Sequence, residues 1–543
     1  MSAWNIAELF EAAARRFPHR EAVLTADQGA RTFAELAAAA DRFAGYLAGL
    51  GVGRDDHVAV YAPNSLEWIV CALAAYRVGA APVNVNYRYT QRELNTVLAD
   101  SGSKVVVAAR ELAGRLAGVE APSLLPGGLV LVEDGSGVAE PEDAVWFDRC
   151  LAGATFERSS PRTGGERYVM YTGGTTGAPK GVLWRHEDVL KAHAVHRDTV
   201  SEREAETPGA VLDLAAEREP ITVMALGQLM HANGLWTTLK TLAWGDRLVI
   251  QRRFDPARVW KLVADHGVQI LSFVGDAMAR PLVEELEREP GRWDLSSLWV
   301  LTSAAAVFSA AVQDRFRELL PGVTLMEAIG TSETGMEGAA PITDRGLGGP
   351  VVAVGPDIGL VDEANRLLPL RPGARGRIAR TGHIALGYHN DPEKTRSVFL
   401  EIDGRRWAVP GDYAEMVDAD TMLLRGRGSA SINTGGEKVF AEEVEATLKS
   451  HRAVLDAVVV GVPDDRWGQA VAAVVEFRDG ASASLEQLRE HCGSTLAGYK
   501  LPRVLAVTDQ MRRSPSGKPD YRWARSQVRD LAGCEPIESG GTR

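Results

Sequence analysis

Apolar residues in 31–51, RTFAELAAAADRFAGYLAGLG, recur at helical spacing and stop at a glycine, which predicts an amphipathic helix. The next apolar run, HVAVY at 57–61, is too short for a helix and reads as a buried strand. A helix over 64–79 and strands over 81–84 and 104–108 follow. The rhythm returns at 247–250, 270–273 and 298–301. Strands alternating with helices predict α/β layers. Residues 201–220, SEREAETPGAVLDLAAEREP, are acidic with two prolines and read as an exposed excursion. From Gly346 short segments punctuated by glycine and proline suggest a β-rich subdomain. After RGRGSAS at 425–431 the pattern becomes helix 440–450, strands 454–460 and 470–477, and helix 485–492. These form a compact α+β module. The expected division is 1–425 and 426–543, with a hinge near 425–429.

Composition narrows the class. The chain has 543 residues, 45% hydrophobic and 24% charged, enough to bury a sizeable core. Sixty basic and 72 acidic residues leave a net charge of −12, which disfavours general nucleic-acid binding. Cys71, Cys150, Cys492 and Cys534 are too scattered for a disulfide scaffold or zinc site, and suit free thiols in a reducing compartment. The N-terminal MSAWNIAELFEAAARRF reads as an amphipathic surface helix, not a signal peptide. No apolar stretch approaches the ~20 residues needed to span a bilayer. A cytoplasmic protein is expected; peripheral membrane contact and a homodimer stay open.

The most informative stretch is VMYTGGTTGAPKGVLWRH at 169–186. A strand-like run enters a loop of Thr172, Gly173, Gly174, Thr175, Thr176 and Gly177, followed by Lys180. Glycines let backbone amides converge on one point, threonine hydroxyls add donors, and a lysine supplies a point charge. Those are parts of a nucleotide phosphate site, in an order that is not GxxxxGK[ST].

This loop, with MALGQLMHANGLW, MEAIGTSETG, VPGDYAE, LLRGRG and RRSPSGKPDYR in the same chain, resembles the adenylate-forming superfamily of acyl-CoA synthetases, peptide-synthetase adenylation domains and luciferases. The resemblance runs from about residue 8 to 528. YTGGTTGAPKGVLWRHED and RGRGSASINTGGEKVFAEEVE look most like actinobacterial acyl-CoA synthetases that activate steroid side-chain carboxylates. It implies an α/β fold: a large N-terminal adenylation domain with mixed sheets and a β-rich subdomain, plus a small mobile α+β C-terminal domain.

The resemblance also implies site residues. His231 lies beside the acyl cavity, Thr331 contacts phosphate and Glu333 is the Mg²⁺ carboxylate, a hard oxygen ligand sharing the ion with substrate phosphates. Ile329 replaces a common aromatic beside adenine. Asp412 accepts from the ribose hydroxyls, although Pro410 departs from the usual threonine before Gly-Asp. Arg427 contacts the nucleotide with Arg425 nearby. Lys518 reaches the acyl carboxylate and α-phosphate. Lys500, Arg503, Arg512, Arg513, Lys518, Arg522 and Arg525, opposed only by Asp509 and Asp520, make a local basic excess suited to ATP and CoA. The hinge falls on Ser429, where relatives carry Asp or Lys. Asn433, Gly435 and Gly436 lie on a thiolation surface, with asparagine where lysine is common. Trp236, Gly275, Ser303, Ala304 and Ala305 are acyl-site candidates, the alanines by their small size. Glu443, in the helix-start signature, is expected to be structural.

The implied chemistry has two steps. The acid attacks the α-phosphorus of ATP and releases pyrophosphate; the CoA thiol then attacks the acyl-adenylate and AMP leaves. The substrates are a small-molecule carboxylic acid, ATP and CoA, with Mg²⁺ as cofactor. Alternatives are a medium- or long-chain fatty acyl-CoA ligase, a fatty acyl-AMP ligase loading a carrier protein, and a non-catalytic nucleotide-binding module. The intact loop, Glu333 and Lys518 together oppose the last.

Overall fold

A computed structural model describes residues 3–89, 91–158, 161–172, 179–306, 308–342, 350–427, 431–434, 437–464, 468–496, 498–513 and 519–529. Two sheets with parallel cores dominate the N-terminal part. The first runs Ala81–Asn84, His57–Tyr61, Val105–Ala109, Leu129–Val132, Val145–Trp146, every pair parallel. Its inner strands are apolar at successive positions because both faces are covered. Helix Leu66–Val78 is apolar nearly all round and correspondingly buried; Ser65 caps its start and Gly79, at φ +85°, ends it.

The second sheet has eight strands in the order Gly335–Pro341, Thr324–Thr331, Val300–Ala304, Ile270–Phe273, Thr222–Ala225, Arg247–Ile250, Glu21–Thr25, Gly29–Thr32. Its six inner strands are parallel and the two edges antiparallel. A three-stranded sheet joins Arg167–Thr172, Lys180–Arg185 and Gly387–Tyr388. The expected β-rich subdomain is a seven-stranded sheet between Val351 and Arg427. Its strand Thr421–Arg427 pairs with Asp412–Met416, so the sheet continues two residues past the expected boundary at 425.

The C-terminal α+β domain is built on the long antiparallel pair Val454–Asp464 and Gly468–Phe477. Alternate residues face opposite cores. Ala457 and Val459 pack with Val444, Leu448 and Leu488 on one side, while Val458 and Val460 pack with Ala524 and Val528 on the other.

Two expectations are corrected. Residues 201–220 are not simply a solvated loop: Pro208–Ala216 is a helix capped by Thr207, with Val211, Leu212 and Ala215 buried. The Thr-Pro start and the apolar positions of VLDLAA outweigh the flanking acids. The N-terminal helix Ile6–Arg16 is amphipathic as expected, but docks Leu9, Phe10 and Ala13 into the largest core. Among the described residues, no helix is long and apolar enough to cross a membrane.

Candidate active site

Four neighbouring parallel strands deliver residues to one place. Beyond Thr222–Ala225 come Gln228, Met230 and His231; beyond Ile270–Phe273, Val274 and Met278; Val300–Ala304 leads into Ala305 and Ala306; Thr324–Thr331 leads into Ser332. The carboxyl edge of a parallel sheet is where α/β folds place ligands. Here it borders a cavity of about 1500 Å³. The β-rich sheet closes another side with Asp412, Leu424 and Arg425, and the C-terminal domain adds Glu442, Glu443, Tyr521 and Arg525. Of the residues singled out from sequence, Thr172, His231, Ser303, Ala304, Ala305, Ile329, Thr331, Asp412 and Arg425 converge on this cavity. Ala305 holds φ +68°, a left-handed conformation that favours glycine.

Other candidates sit elsewhere. Trp236 does not line the cavity: its indole N–H donates to Tyr168 Oη at 2.8 Å and its ring stacks on His193 with centroids 3.3 Å apart. Those partners make it a packing residue. Gly275 is also behind the wall; its amide donates to Ser303 Oγ at 3.1 Å and so fixes a lining side chain. Lys180 Nζ pairs with Asp391, and this carboxylate also caps helix Pro392–Val398 by accepting from Lys394 N–H at 2.8 Å. Gly173, Gly174, Thr175, Thr176, Gly177, Ser429, Gly435, Gly436 and Lys518 lie outside the described residues. Arg427 and Asn433 are placed only as strand backbone.

The turn from Thr331 to Gly335 is held by its own side chains. Thr331 Oγ1 accepts from the amides of Glu333 at 3.3 Å and Thr334 at 3.1 Å, and shares a 2.8 Å hydrogen bond with Thr334 Oγ1. That hydroxyl is engaged in the turn, and Thr331 also borders the cavity. Ser332 is the hydroxyl residue of this turn whose side chain is not engaged in it, and it lines the cavity. Its carbonyl is fixed by Trp184 Nε1 at 2.9 Å. Glu333 is buried, and Tyr388 Oη donates to its Oε1 at 2.6 Å.

Two further carboxylates shape the electrostatics. Glu327 lines the cavity from the middle of a sheet strand, and burial, reinforced by Asp276, pushes its carboxyl up to about 8. It is therefore largely neutral at pH 7. Glu443 does more than begin a helix. Lys500 Nζ holds both its oxygens, at 2.8 and 2.7 Å, and Arg425 approaches at 3.6 Å. Arg425 is in turn bound to Glu415. The guanidinium expected at the nucleotide is thus part of a bridge between the domains.

Sequence reasoning missed Ser332, Tyr388, Asp391 and the bridging role of Glu443. For Asp391 the visible signal was only Asp-Pro, a helix start. Among the described residues, no group of three or more His, Cys, Asp or Glu side chains could hold a metal. Glu333, within the turn and just behind the lining residue Ser332, offers a buried, hard carboxylate, and the neighbouring Glu337 is already bound by Thr334 Oγ1 at 2.8 Å. That donor set fits a Mg²⁺ held chiefly by substrate phosphate oxygens.

Comparison with known proteins agrees with this geometry. The model of AMP-binding enzymes matches residues 10–389, and that of the AMP-binding enzyme C-terminal domain matches 443–518. The chain is 39% identical over 537 residues to a 3-oxocholest-4-en-26-oate–CoA ligase of Rhodococcus rhodochrous, covering 97% of this chain and 96% of that one. It is 41% identical over 534 residues to a medium/long-chain-fatty-acid–CoA/3-oxocholest-4-en-26-oate–CoA ligase of Mycolicibacterium smegmatis, covering 96% of each. Among solved structures, ATP-bound MatB from Rhodopseudomonas palustris aligns with TM-score 0.80 at 24% identity, over 98% of this chain and 100% of that one. The anthranilate CoA ligase AuaEII with anthranoyl-AMP aligns with TM-score 0.82 at 22% identity, over 98% of each. These two structures bear on the fold alone.

Proposed function

The chain belongs to the AMP-binding enzyme family, and we propose that, as an AMP-forming acid–thiol ligase, it activates a steroid side-chain carboxylate. The observation that carries the reading is a single cavity with two characters. Asp412, Ile329 and Ser332 offer a nucleotide side, while Met230, Val274, Met278, Phe308 and the small run Ala304–Ala306 offer an apolar side. A fused-ring acid gains roughly 25 cal/mol per Å² of apolar surface it buries there, and loses less conformational freedom than an alkyl chain. The relatives named above support the same class of acid. Because the second is also named for medium- and long-chain fatty acids, fatty acyl-CoA ligation is the second reading.

In this reading Asp412 accepts from the ribose hydroxyls and Ile329 lies against adenine. His231 positions the acid, with Ser303, Ala304 and Ala305 along its path. The loop from Thr172 to Gly177, Lys180 and Ser332 receive the phosphates. Mg²⁺ on Glu333 would supply charge neutralisation as one anion approaches another. Lys518 serves that same approach from the C-terminal domain. Arg427 contacts the nucleotide, and Asn433, Gly435 and Gly436 face CoA. The neutral Glu327 adds no negative charge where the acid and ATP meet. Buried thiols at Cys71, Cys150 and Cys492 fit a cytoplasmic enzyme.

The test is a screen with ATP, Mg²⁺ and CoA, read as thioester mass. Cholestenoate- and cholenoate-like acids should exceed C8 to C18 fatty acids in kcat/KM. At least a tenfold advantage for the fatty acids would overturn the steroid reading and leave acyl-CoA ligation standing.

A further inference from the structure

The carboxylate of Glu333 is held from one direction by a segment with no place in the chemistry above. Ala385 N–H donates to the Glu333 carbonyl at 3.1 Å, and Tyr388 Oη reaches its carboxylate at 2.6 Å. Both side chains are buried, Tyr388 at 8% exposure and Glu333 at 9%. The distance is that of a charge-assisted O–H···O⁻ bond.

Tyr388 is itself fixed. Its backbone pairs with Val182 in the strand that follows the phosphate loop, and its N–H donates to Thr395 Oγ1 at 2.9 Å. Its ring packs edge-on to Phe399 with centroids 6.2 Å apart. A glutamate carboxylate, oriented by three side-chain torsions, would otherwise sample several orientations. Capping one oxygen leaves the other as the oxygen to offer a cation, in one direction. Holding a ligand in its productive geometry before the ion arrives is the usual work of a supporting hydrogen bond.

We propose that Tyr388 is a positioning residue for Glu333, orienting its carboxylate toward the divalent cation that accompanies ATP. The proposal rests on reading Glu333 as the protein ligand of that cation. The same segment ends at Asp391, which pairs with Lys180, so the four residues from Tyr388 to Asp391 tie both the carboxylate and the phosphate-loop lysine to one turn.

The experiment titrates Mn²⁺ into the full chain with a non-hydrolysable ATP analogue, following free Mn²⁺ by electron paramagnetic resonance. Tyr388→Phe keeps the ring and its packing. Losing one hydrogen bond to a charged group should raise the half-saturating Mn²⁺ roughly tenfold or more. KM for the acid should stay close to the parent, and Tm should fall modestly because a buried carboxylate loses its donor. Ile378→Val, a packing control in a separate core of the β-rich sheet, should lower Tm and leave Mn²⁺ binding unchanged. Unchanged Mn²⁺ affinity in Tyr388→Phe, with affinity lost in Glu333→Gln, overturns the positioning role. Unchanged affinity in Glu333→Gln overturns the ligand reading itself. Should Tyr388→Phe not fold, Glu333→Asp decides: it keeps the charge but shortens the reach to Tyr388. Affinity lost roughly tenfold or more supports the proposal, and parental affinity overturns it.

Discussion

Glu327 gives a pH dependence with a definite sign. Its carboxyl sits on the strand next to the sheet edge at 9% exposure, and burial with the nearby Asp276 raises it from its ordinary 4.5 to about 8. Below about pH 4.5 it is protonated in folded and unfolded chains alike and makes no difference to stability. Between 4.5 and 8 the unfolded chain releases the proton while the folded chain keeps it, so stability falls as pH rises. Above about 8 both forms are ionised and the loss levels off. At 1.36 kcal/mol per pKa unit, the loss at pH 7 is about 3 kcal/mol, and about 3 to 4 kcal/mol accrues between pH 5 and 8. Glu327→Gln replaces the neutral acid with a neutral amide of similar shape and removes the proton linkage. Relative to the parent, the variant should gain stability as pH rises. With an unfolding entropy of ~2.1 cal/mol/K per residue over ~400 residues, the Tm difference should widen by about 4 °C from pH 5 to pH 8. Matched thermal melts of both proteins cancel every other titrating group. A Tm difference that stays the same at both pH values would refute the buried, proton-holding carboxyl. A functional consequence accompanies it. Above pH 8 the ionised Glu327 faces the cavity, so KM for the acid should rise in the parent more than in the variant.

Two other substitutions separate charge from packing. Asp391→Asn should release Lys180 with little effect on Tm, since a partly exposed pair contributes only about 0–1 kcal/mol. If Asp391 competes with phosphate for that lysine, KM for ATP should fall roughly two- to fivefold, and an unchanged KM counts against it. Lys518→Ala should slow adenylation on the order of 100-fold while thioester formation from supplied acyl-AMP persists. Equal losses in both half-reactions, measured separately, would reject its role in the first step.

What the sequence made legible follows from the range of the forces involved. The strands His57–Tyr61, Ala81–Asn84, Arg247–Ile250 and Ile270–Phe273 match their expected limits because each is a short apolar run in a fully covered sheet. Helix Pro208–Ala216 was hidden by acids on either side, although Thr207-Pro208 announces its start. Ile329, Asp412, Ala304 and Ala305 were found through motifs that stay together along the chain, and they meet at the cavity. Tyr388 and Asp391 were not, since their partners Glu333 and Lys180 lie 55 and 211 residues away. Thr331 and Ser332 show a subtler limit. Both are short hydroxyl residues in one motif, and only the hydrogen bonds of the turn decide which is committed to structure.

The charge missing from the expected hinge has a counterpart elsewhere. Ser429 offers none, and the resemblance implies a C-terminal domain that rotates between two half-reactions. One charged contact across the boundary is made by Glu443, clamped by Lys500 of its own domain and approached by Arg425 at 3.6 Å from the other. These are unequal attachments. Lys500 bonds both carboxylate oxygens inside 3 Å and moves with Glu443 as one body, whereas Arg425 keeps its shorter bonds with Glu415 in the β-rich sheet. Of these attachments, a rotation of the C-terminal domain would break only the long one. Arg425 and Glu443 are 22% and 12% exposed, so water reaches both, and a pair of this kind is worth only about 0–1 kcal/mol. A pair that weak would not by itself oppose such a rotation. A buried bidentate pair in the same place would cost several kcal/mol to separate.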